Sequence, residues 1–469
     1  MNGINNKNIE VFQNAPVPKA VLMNIVPSII SMIMVLIYNL ADTFFIGQTN
    51  NAYMVAAISL ATPAFLFFMS VGLLFGIGGT SMISRKLGEG DEKIAKSISS
   101  FCFWTGAAAG VAGAVAVQIW IDPVVRIVGA TSDTVEYVKQ YLMIVSLGVP
   151  FLIISNSFSN IIRAEGKANL SMVGMIIGNL VNIVLDPVLI LGFGWNVAGA
   201  AIATVLGNVT AALFYIGHFV FKKSILSIGI KDYKAGGKIA SGVVAIGVPA
   251  SLNSILMSVS NIVINNFING YGDMAVAGLG VAMKVNMIAV MLLIGVGTGI
   301  QPVLGFCFGA RNRQRFNAVL KFSLLFSIAL SIVMTVVCYL GASPMVSAFL
   351  KDTNAHAYGM QFARILILSG PILGILFVLT NTIQAMGAAI PSLILSISRQ
   401  GLVYLPMLIL FSKIFDSAAM LVAAQPASDY VATLLAAVLC IIAYRRHFVR
   451  EDGNVQNKAG KINKIHSLS

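Results

Sequence analysis

Two carboxylates stand where the surrounding sequence carries no other charge. In the stretch YNLADTFFIG, Asp42 has no charged neighbour between Lys19 and Arg85. In GNLVNIVLDPVLILGFG, Asp186 is alone between Lys167 and Lys222. An ionised acid at mid-bilayer costs about 2.5–3.5 kcal/mol on insertion scales, so a chain that keeps two of them uses them. Each acid has neutral polar company at helical spacing. Tyr38, Asn39 and Asp42 lie three or four positions apart and share a helix face. Asn179, Asn182 and Asp186 form a second polar stripe, and Ala200 and Thr204 make an i, i+4 pair on the next helix. Pro187 removes the N–H that would bond the Ile183 carbonyl, which frees an oxygen beside Asp186. Such a cluster supports two chemistries. A desolvated carboxylate can load and release a proton near neutral pH. Converging oxygens can instead cage a small hard cation such as Na⁺. The residue types fit both.

The elements that must carry these groups follow from composition. The chain has 469 residues, 58% hydrophobic and only 10% charged, with a mean hydropathy of +0.89. Soluble domains carry about a quarter charged residues. Apolar runs of about 20 residues or more, separated by short polar breaks, indicate membrane-spanning helices. The runs do not alternate polar and apolar residues, which excludes a β-barrel. Twelve spans are expected, near 20–46, 53–84, 93–120, 137–163, 169–193, 197–221, 239–268, 274–307, 316–340, 357–386, 390–413 and 418–444. Within them only Asp42 and Asp186 are read as acids. Lys284 and Arg399 are the two cations left inside spans, both in the second half. An ion pair for either acid would therefore have to cross between the halves.

With the N-terminus placed in the cytoplasm, the odd-numbered loops hold only Arg126, Lys139, Lys351, Arg364 and Lys413 of the 30 Lys and Arg. RKLGEGDEK, FKKSILSIGIKDYK and ARNRQRF all fall on the other side. This is the positive-inside pattern, so both termini are expected to be cytoplasmic. The net charge of +13 is then a topology signal, and no nucleic-acid partner is implied. Cys102, Cys307, Cys338 and Cys440 lie in apolar runs without metal-site spacing and read as core residues. The first 18 residues are polar, and no cleavable signal peptide is evident.

The sequence also repeats itself. A shift of about 220 positions lays PSIISMIMVLIYNLADTFFIG on PASLNSILMSVSNIVINNFIN, with Pro27 on Pro249, Asn39 on Asn261 and Phe45 on Phe267. Gly88 then falls on Gly309, and RAEG on QAMG with Gly166 on Gly387. The expected organisation is a tail at 1–19, a six-helix bundle at 20–222, a linker at 223–238, a second bundle at 239–445 and a basic tail at 446–469. The fold class is an all-α polytopic membrane protein, two bundles in a V around a central cavity. Duplicated bundles suit alternating access. Pro27, Pro150, Pro249 and Pro371 fall at helix ends or interiors, where a lost N–H permits bending.

No HExxH motif, no GxSxG with partners and no P-loop is present, and His218, His356, His447 and His466 lie near span ends or tails, so neither an enzyme nor an ATP-driven pump is expected. The twelve spans, the repeat, the RAEG and QAMG loops, LADTFFIG and NIVLDP together resemble the multidrug and toxic compound extrusion (MATE) transporters over about 15–450. The likeness is to the bacterial and archaeal branch with DNA-damage-inducible and staphylococcal multidrug-efflux types. The resemblance implies a cation-coupling site at Asp42, Asn182, Asp186 and Thr204, with Ala200, Tyr38 and Asn156 as further members. Na⁺ would lie on Asp42, Asn182, Asp186 and Thr204, or H⁺ would load the acids. Other branches place essential acids in the C-terminal bundle, whereas the seventh, eighth and tenth spans here have none. The implied function is antiport of lipophilic organic cations against H⁺ or Na⁺ across the cell membrane, as a monomer and without a cofactor. The 21 Met and the many Phe and Tyr suit adaptable, cation-binding walls. The rival is a flippase for lipid-linked oligosaccharides or related amphiphiles, which calls for several cationic cavity residues.

Overall fold

The computed structural model describes residues 7–49, 51–221 and 224–449. The expectations for 1–6, 222–223 and 450–469, most of the basic tail among them, lie outside the described residues. Every regular element described is helical. In the first half α1 (Lys7–Asn14) precedes α2 (Val17–Gly47), α3 (Ala52–Gly88), α4 (Glu92–Ile119), the short α5 (Ile121–Ile127), α6 (Val135–Ala164), α7 (Ala168–Asp186) and α8 (Asn196–Phe221). The second half holds α9 (Gly237–Asn269), α10 (Asp273–Gly309), α11 (Arg313–Phe349), α12 (Thr353–Ile367), α13 (Gly370–Ala385), α14 (Ala389–Ile397), α15 (Tyr404–Ile414) and α16 (Ala418–Tyr444). By length and composition eleven of these stretches can cross a bilayer, and α12 with α13, bent by 49°, makes a twelfth.

Local chemistry sets the ends. Pro18 lies in the first turn of α2, where a missing N–H costs nothing. The Asn51 side chain accepts from the Tyr53 and Met54 N–H groups at the start of α3. Asp91 accepts from Ile94 N–H at 3.0 Å to open α4. The RAEG and QAMG corners turn on left-handed glycines, Gly166 (φ 80°) and Gly387 (φ 71°). A side chain at either position would be strained, so the two loops are one device used twice.

Four spans differ from their sequence outlines; the eleventh, expected unbroken over 390–413, carries a π-helical turn, Ser398–Val403, between α14 and α15. The fifth ends its α-geometry at Asp186 and runs on as a π-helical turn, Pro187–Gly192, because Pro187 offers no N–H to the ladder. The tenth, expected unbroken over 357–386, is severed at Leu368–Ser369 just before Pro371. There the freed Leu368 carbonyl accepts from the Tyr430 hydroxyl at 3.2 Å. The ninth runs on to Phe349 rather than stopping near 340, with Pro344 inside it. The N-terminal tail is not plain coil either. Phe12 of α1 is buried against Phe306, and the Arg315 guanidinium donates to the carbonyls of Phe12, Val11 and Ala15.

The halves meet at the end of the molecule that carries the first and last described residues. A Cβ on Gly78 would come within 2.2 Å of the Val243 carbonyl, and one on Gly247 within 2.2 Å of that of Leu74. Only glycine lets α3 and α9 touch backbone to backbone there. Ser81 donates to the Gln384 carbonyl and Ser251 to that of Ser70, tying the halves further. Away from this seal the bundles leave a cavity between them.

Candidate functional site

The cavity has a volume of about 380 Å³ and draws its walls from both halves. From α2 it takes Tyr38, Asn39 and Asp42, so the predicted polar face of that helix does point inward. From α7 come Asn179 and Asn182, and from α8 Thr204 and Asn208. Tyr141 and Asn156 of α6 complete this polar wall. Methionines line the rest: Met69 and Met175 from the first half, Met257, Met287 and Met291 from the second. Among the described residues, no Lys or Arg lines it.

Asp186 sits behind that wall, fully buried at the junction of α7 with its π-helical turn. Neither of its oxygens, nor Asn182 Oδ1, has a hydrogen-bond partner among the described residues. A buried carboxylate left this way is costly unless a proton or a cation completes it. Asn182 Nδ2 donates to Thr204 Oγ1 at 3.4 Å, and the hydroxyls of Tyr38 and Tyr141 lie against the same threonine. Asp42 is close enough to act electrostatically on both tyrosines and on Asp186. Asn156 spends its amide N–H on the Leu152 carbonyl at 3.2 Å. Ala200 is buried in the core beside Val197 and Ile190 and does not line the cavity.

Five of the seven expected residues thus line the cavity, and Asp186 and Ala200 lie behind them. Sequence reading missed Tyr141, Ser155 and Asn208. Ser155 donates to Asn208 Oδ1 at 3.2 Å, which fixes the α6–α8 side of the wall. Their only signal was a neutral polar side chain inside a span, which buried serines across this chain also give.

Buried charge is not confined to the residues that the sequence singles out. Asp42 and Asp186 are not the only acids within spans: Asp429 of α16 is buried and pairs with Arg399, Nε to Oδ1 at 3.3 Å. Gln425 adds a second donor to Asp429 at 3.4 Å, and the Arg399 guanidinium lies over the Phe377 ring. Arg399 therefore serves its own half and leaves Asp186 without a counter-ion. Nor is the first half free of buried cations. Arg163, in the last turn of α6, is 3% exposed and donates to Ser159 O, Asn160 Oδ1, Ser28 Oγ and, across the seal, Thr298 Oγ1.

At the RAEG corner Glu165 is buried beside Lys167, with Nζ 2.7 Å from Oε1, and accepts from Ile225 N–H at 2.9 Å. His218 lies 3.8 Å from its other oxygen. Burial pushes this carboxyl up, but His218, Lys167 and the Ile225 N–H outweigh that and hold it below the usual carboxylate range. The linker residues Ile225 and Leu226 are buried here. Ser100 and Trp104 donate to the Gly229 and Ile228 carbonyls, so the segment joining the halves is anchored on α4.

The family model MatE matches this chain twice, over residues 27–188 and 249–410. The two matches begin on Pro27 and Pro249, the prolines that the repeat puts in register. The multidrug export protein MepA of Staphylococcus aureus is 32% identical over 404 residues, covering 86% of this chain and 89% of that protein. MepA of Staphylococcus haemolyticus is 32% identical over 405 residues with the same coverage. A structure described as the outward-facing conformation of a multidrug resistance MATE family transporter of the MOP superfamily superposes with a TM-score of 0.88. It does so at 24% identity, over 94% of this chain and 98% of that one. A MATE structure in complex with MaL6 superposes with a TM-score of 0.89 at 23% identity, over 95% and 99% of the two chains. These relatives are transporters, not enzymes. The chain belongs to the MatE family, the multidrug and toxic compound extrusion transporters.

Proposed function

We propose that the chain exports lipophilic organic cations in exchange for H⁺ or Na⁺, with the two bundles rocking so that the cavity opens to either side in turn. One observation carries this reading: Asp186 is fully buried with both oxygens unpartnered, next to Asp42, Asn182 and Thr204 on the wall of a drug-sized cavity. A proton on either acid, or Na⁺ held by oxygens of Asp42, Asn182, Asp186 and Thr204, would supply what that cluster lacks. Tyr38 and Tyr141 would orient Thr204, and Asn156 would complete the polar wall. Ala200 would act only through its backbone.

Coupling requires that the cation favour one state of the cavity over the other. A loaded cluster neutralises the wall that faces the drug, which weakens the hold on an organic cation and favours its release. Unloaded, the same wall carries negative charge and recaptures drug from the opposite side. The methionines and aromatic rings supply a deformable, polarizable surface for varied substrates. The seal at the termini end, with both termini on the cytoplasmic side, makes the present cavity the extracellular-facing one. A monomer contains all of these parts.

The test is uptake of a fluorescent organic cation into everted vesicles, with ΔpH and ΔNa⁺ imposed separately. Asp42→Asn and Asp186→Asn are each expected to lose gradient-driven uptake while the protein remains folded. Full coupling in both variants would overturn the reading. A lipid-linked pyrophosphate as substrate would require cationic side chains in the cavity, and none of the described residues lining it is cationic.

A further inference from the structure

A second concavity lies between the halves, distinct from the central cavity. Its volume is about 340 Å³, and Leu40 of α2 faces Val285 and Ile288 of α10 and Met345 and Phe349 of α11 across it. All three helices present their ends remote from the termini: α2 finishes at Gly47, α10 begins at Asp273 and α11 finishes at Phe349. Leu40 and Phe349 are exposed, so the groove is open at its rim. Among the described residues its lining carries one charge, Lys284, whose Nζ lies 5.3 Å from the Phe349 ring centre. No ion pair to Lys284 is present among the described residues, and a ring face alone does not repay the desolvation of an ammonium group.

We propose that this groove is a binding site for an anionic phospholipid of the leaflet remote from the termini, with an acyl chain on the apolar wall and the phosphate on Lys284. Depth agrees. Lys284 lies about 16 Å along the axis of α10 from Asp273, at 1.5 Å per residue. The whole helix is about 55 Å long, against a hydrocarbon core of about 30 Å. The backbone of Lys284 therefore sits a few ångströms inside the core, and its stem reaches the phosphate layer. Charge decides the occupant. An organic cation is repelled by Lys284, and a zwitterionic lipid adds an amine where the site already holds one. A lipid with net negative charge meets neither penalty. Since Leu40 belongs to one half and Lys284 to the other, the bound lipid bridges them on the open side of the molecule, opposite the glycine-lined seal.

The test uses the full chain reconstituted in nanodiscs of mixed phosphatidylglycerol and phosphatidylcholine, with the co-purifying lipids counted by native mass spectrometry. Wild type is expected to retain phosphatidylglycerol about fivefold over its share, the preference of one basic residue near the headgroups. Lys284→Arg should keep that preference and Lys284→Gln should lose it. Met345→Trp, which fills the groove and spares the cation, should lose the lipid itself. An unchanged ratio in Lys284→Gln would overturn the proposal. So would displacement of the lipid by glycerol phosphate alone, which would make the occupant a soluble anion, or by the transported dye, which would make it substrate. Retention in Met345→Trp would likewise show that the groove is not where the chain lies.

Discussion

The two halves share one plan and treat charge in opposite ways. Counted from the corner glycines Gly166 and Gly387, Gly178 of α7 falls on Arg399. Counted from the first residues of α8 and α16, Gly207 falls on Asp429. In the first half these positions are two glycines in contact: a Cβ on Gly207 would lie 2.8 Å from the Gly178 carbonyl. In the second half the same helix crossing is spanned by a buried ion pair. The acids follow the same division. Asp42 falls on Ile264, and Asp186 falls on the apolar Met407–Leu408 step. One half thus keeps Asp42 and Asp186 unpaired beside the cavity, while the other ties Asp429, its one buried acid among the described residues, to an arginine. The fold needs neither arrangement, since each half does without the other's. On the coupling proposed above, the unpaired acids are there for a mobile cation and the paired one ties the eleventh span to α16.

The largest expected effect on transport tests that division directly. Asp186→Asn should lower gradient-driven transport at least about tenfold, equivalent to 1.4 kcal/mol. The charge-free pair Arg399→Gln with Asp429→Asn should keep its response to the imposed gradient. Vesicle uptake at matched protein levels distinguishes the two. Equal losses in both would erase the contrast between the halves.

On stability, the largest effect belongs to the ion pair itself. Asp429→Leu leaves Arg399 buried without its carboxylate and should destabilise the protein by about 3–5 kcal/mol, whereas removal of both charges is often neutral or stabilising. Thermal unfolding in detergent of Asp429→Leu, Arg399→Met and the double variant closes the cycle. A double variant as unstable as Asp429→Leu would mean that the pair is not the unit. The first half should respond to bulk instead. Gly207→Val places a branched side chain against the Gly178 carbonyl, with Asn182 Cβ only 3.1 Å from its first carbon. Overpacking of this kind costs about 1–3 kcal/mol. It should also disturb drug binding by displacing Asn182, which a dye-binding titration would register.

How legible all this was depends on whether a signal is local. Helices, repeat and left-handed corners follow from hydropathy, proline register and glycine, each read within a short window. Asp42 and Asp186 stood out because nothing charged lies near them in sequence. Asp429 carried the same local signal, but its partner Arg399 is remote along the chain and faces it only because a π-helical turn, Ser398–Val403, carries that arginine. The break of the tenth span was hinted at by Pro371. Its other cause, the Tyr430 hydroxyl waiting for the Leu368 carbonyl, is a tertiary contact. Tyr141 and Asn208 were hidden for the same reason, since inward and outward polar residues look alike until neighbouring helices are placed.

The smallest effect lies at the corners, where RAEG and QAMG differ most in charge: Arg163 falls on Gln384 and Glu165 on Met386. Glu165 is held below the usual carboxylate range in the folded protein, so folding favours its ionised form. Its contribution is therefore complete above the unfolded carboxyl value, about 4.3 for glutamate, and is lost as pH falls through the lower folded value. Above that pH the wild type should unfold at a higher temperature than Glu165→Gln by a constant margin. The margin should close on further acidification as the carboxylate that binds Lys167 and the Ile225 N–H becomes protonated. Met386→Gln at the twin corner should show no such pH-dependent margin, because no carboxyl is altered there. A difference between wild type and Glu165→Gln that widened in acid would reverse the sign and place the stabilising form of Glu165 on the protonated side.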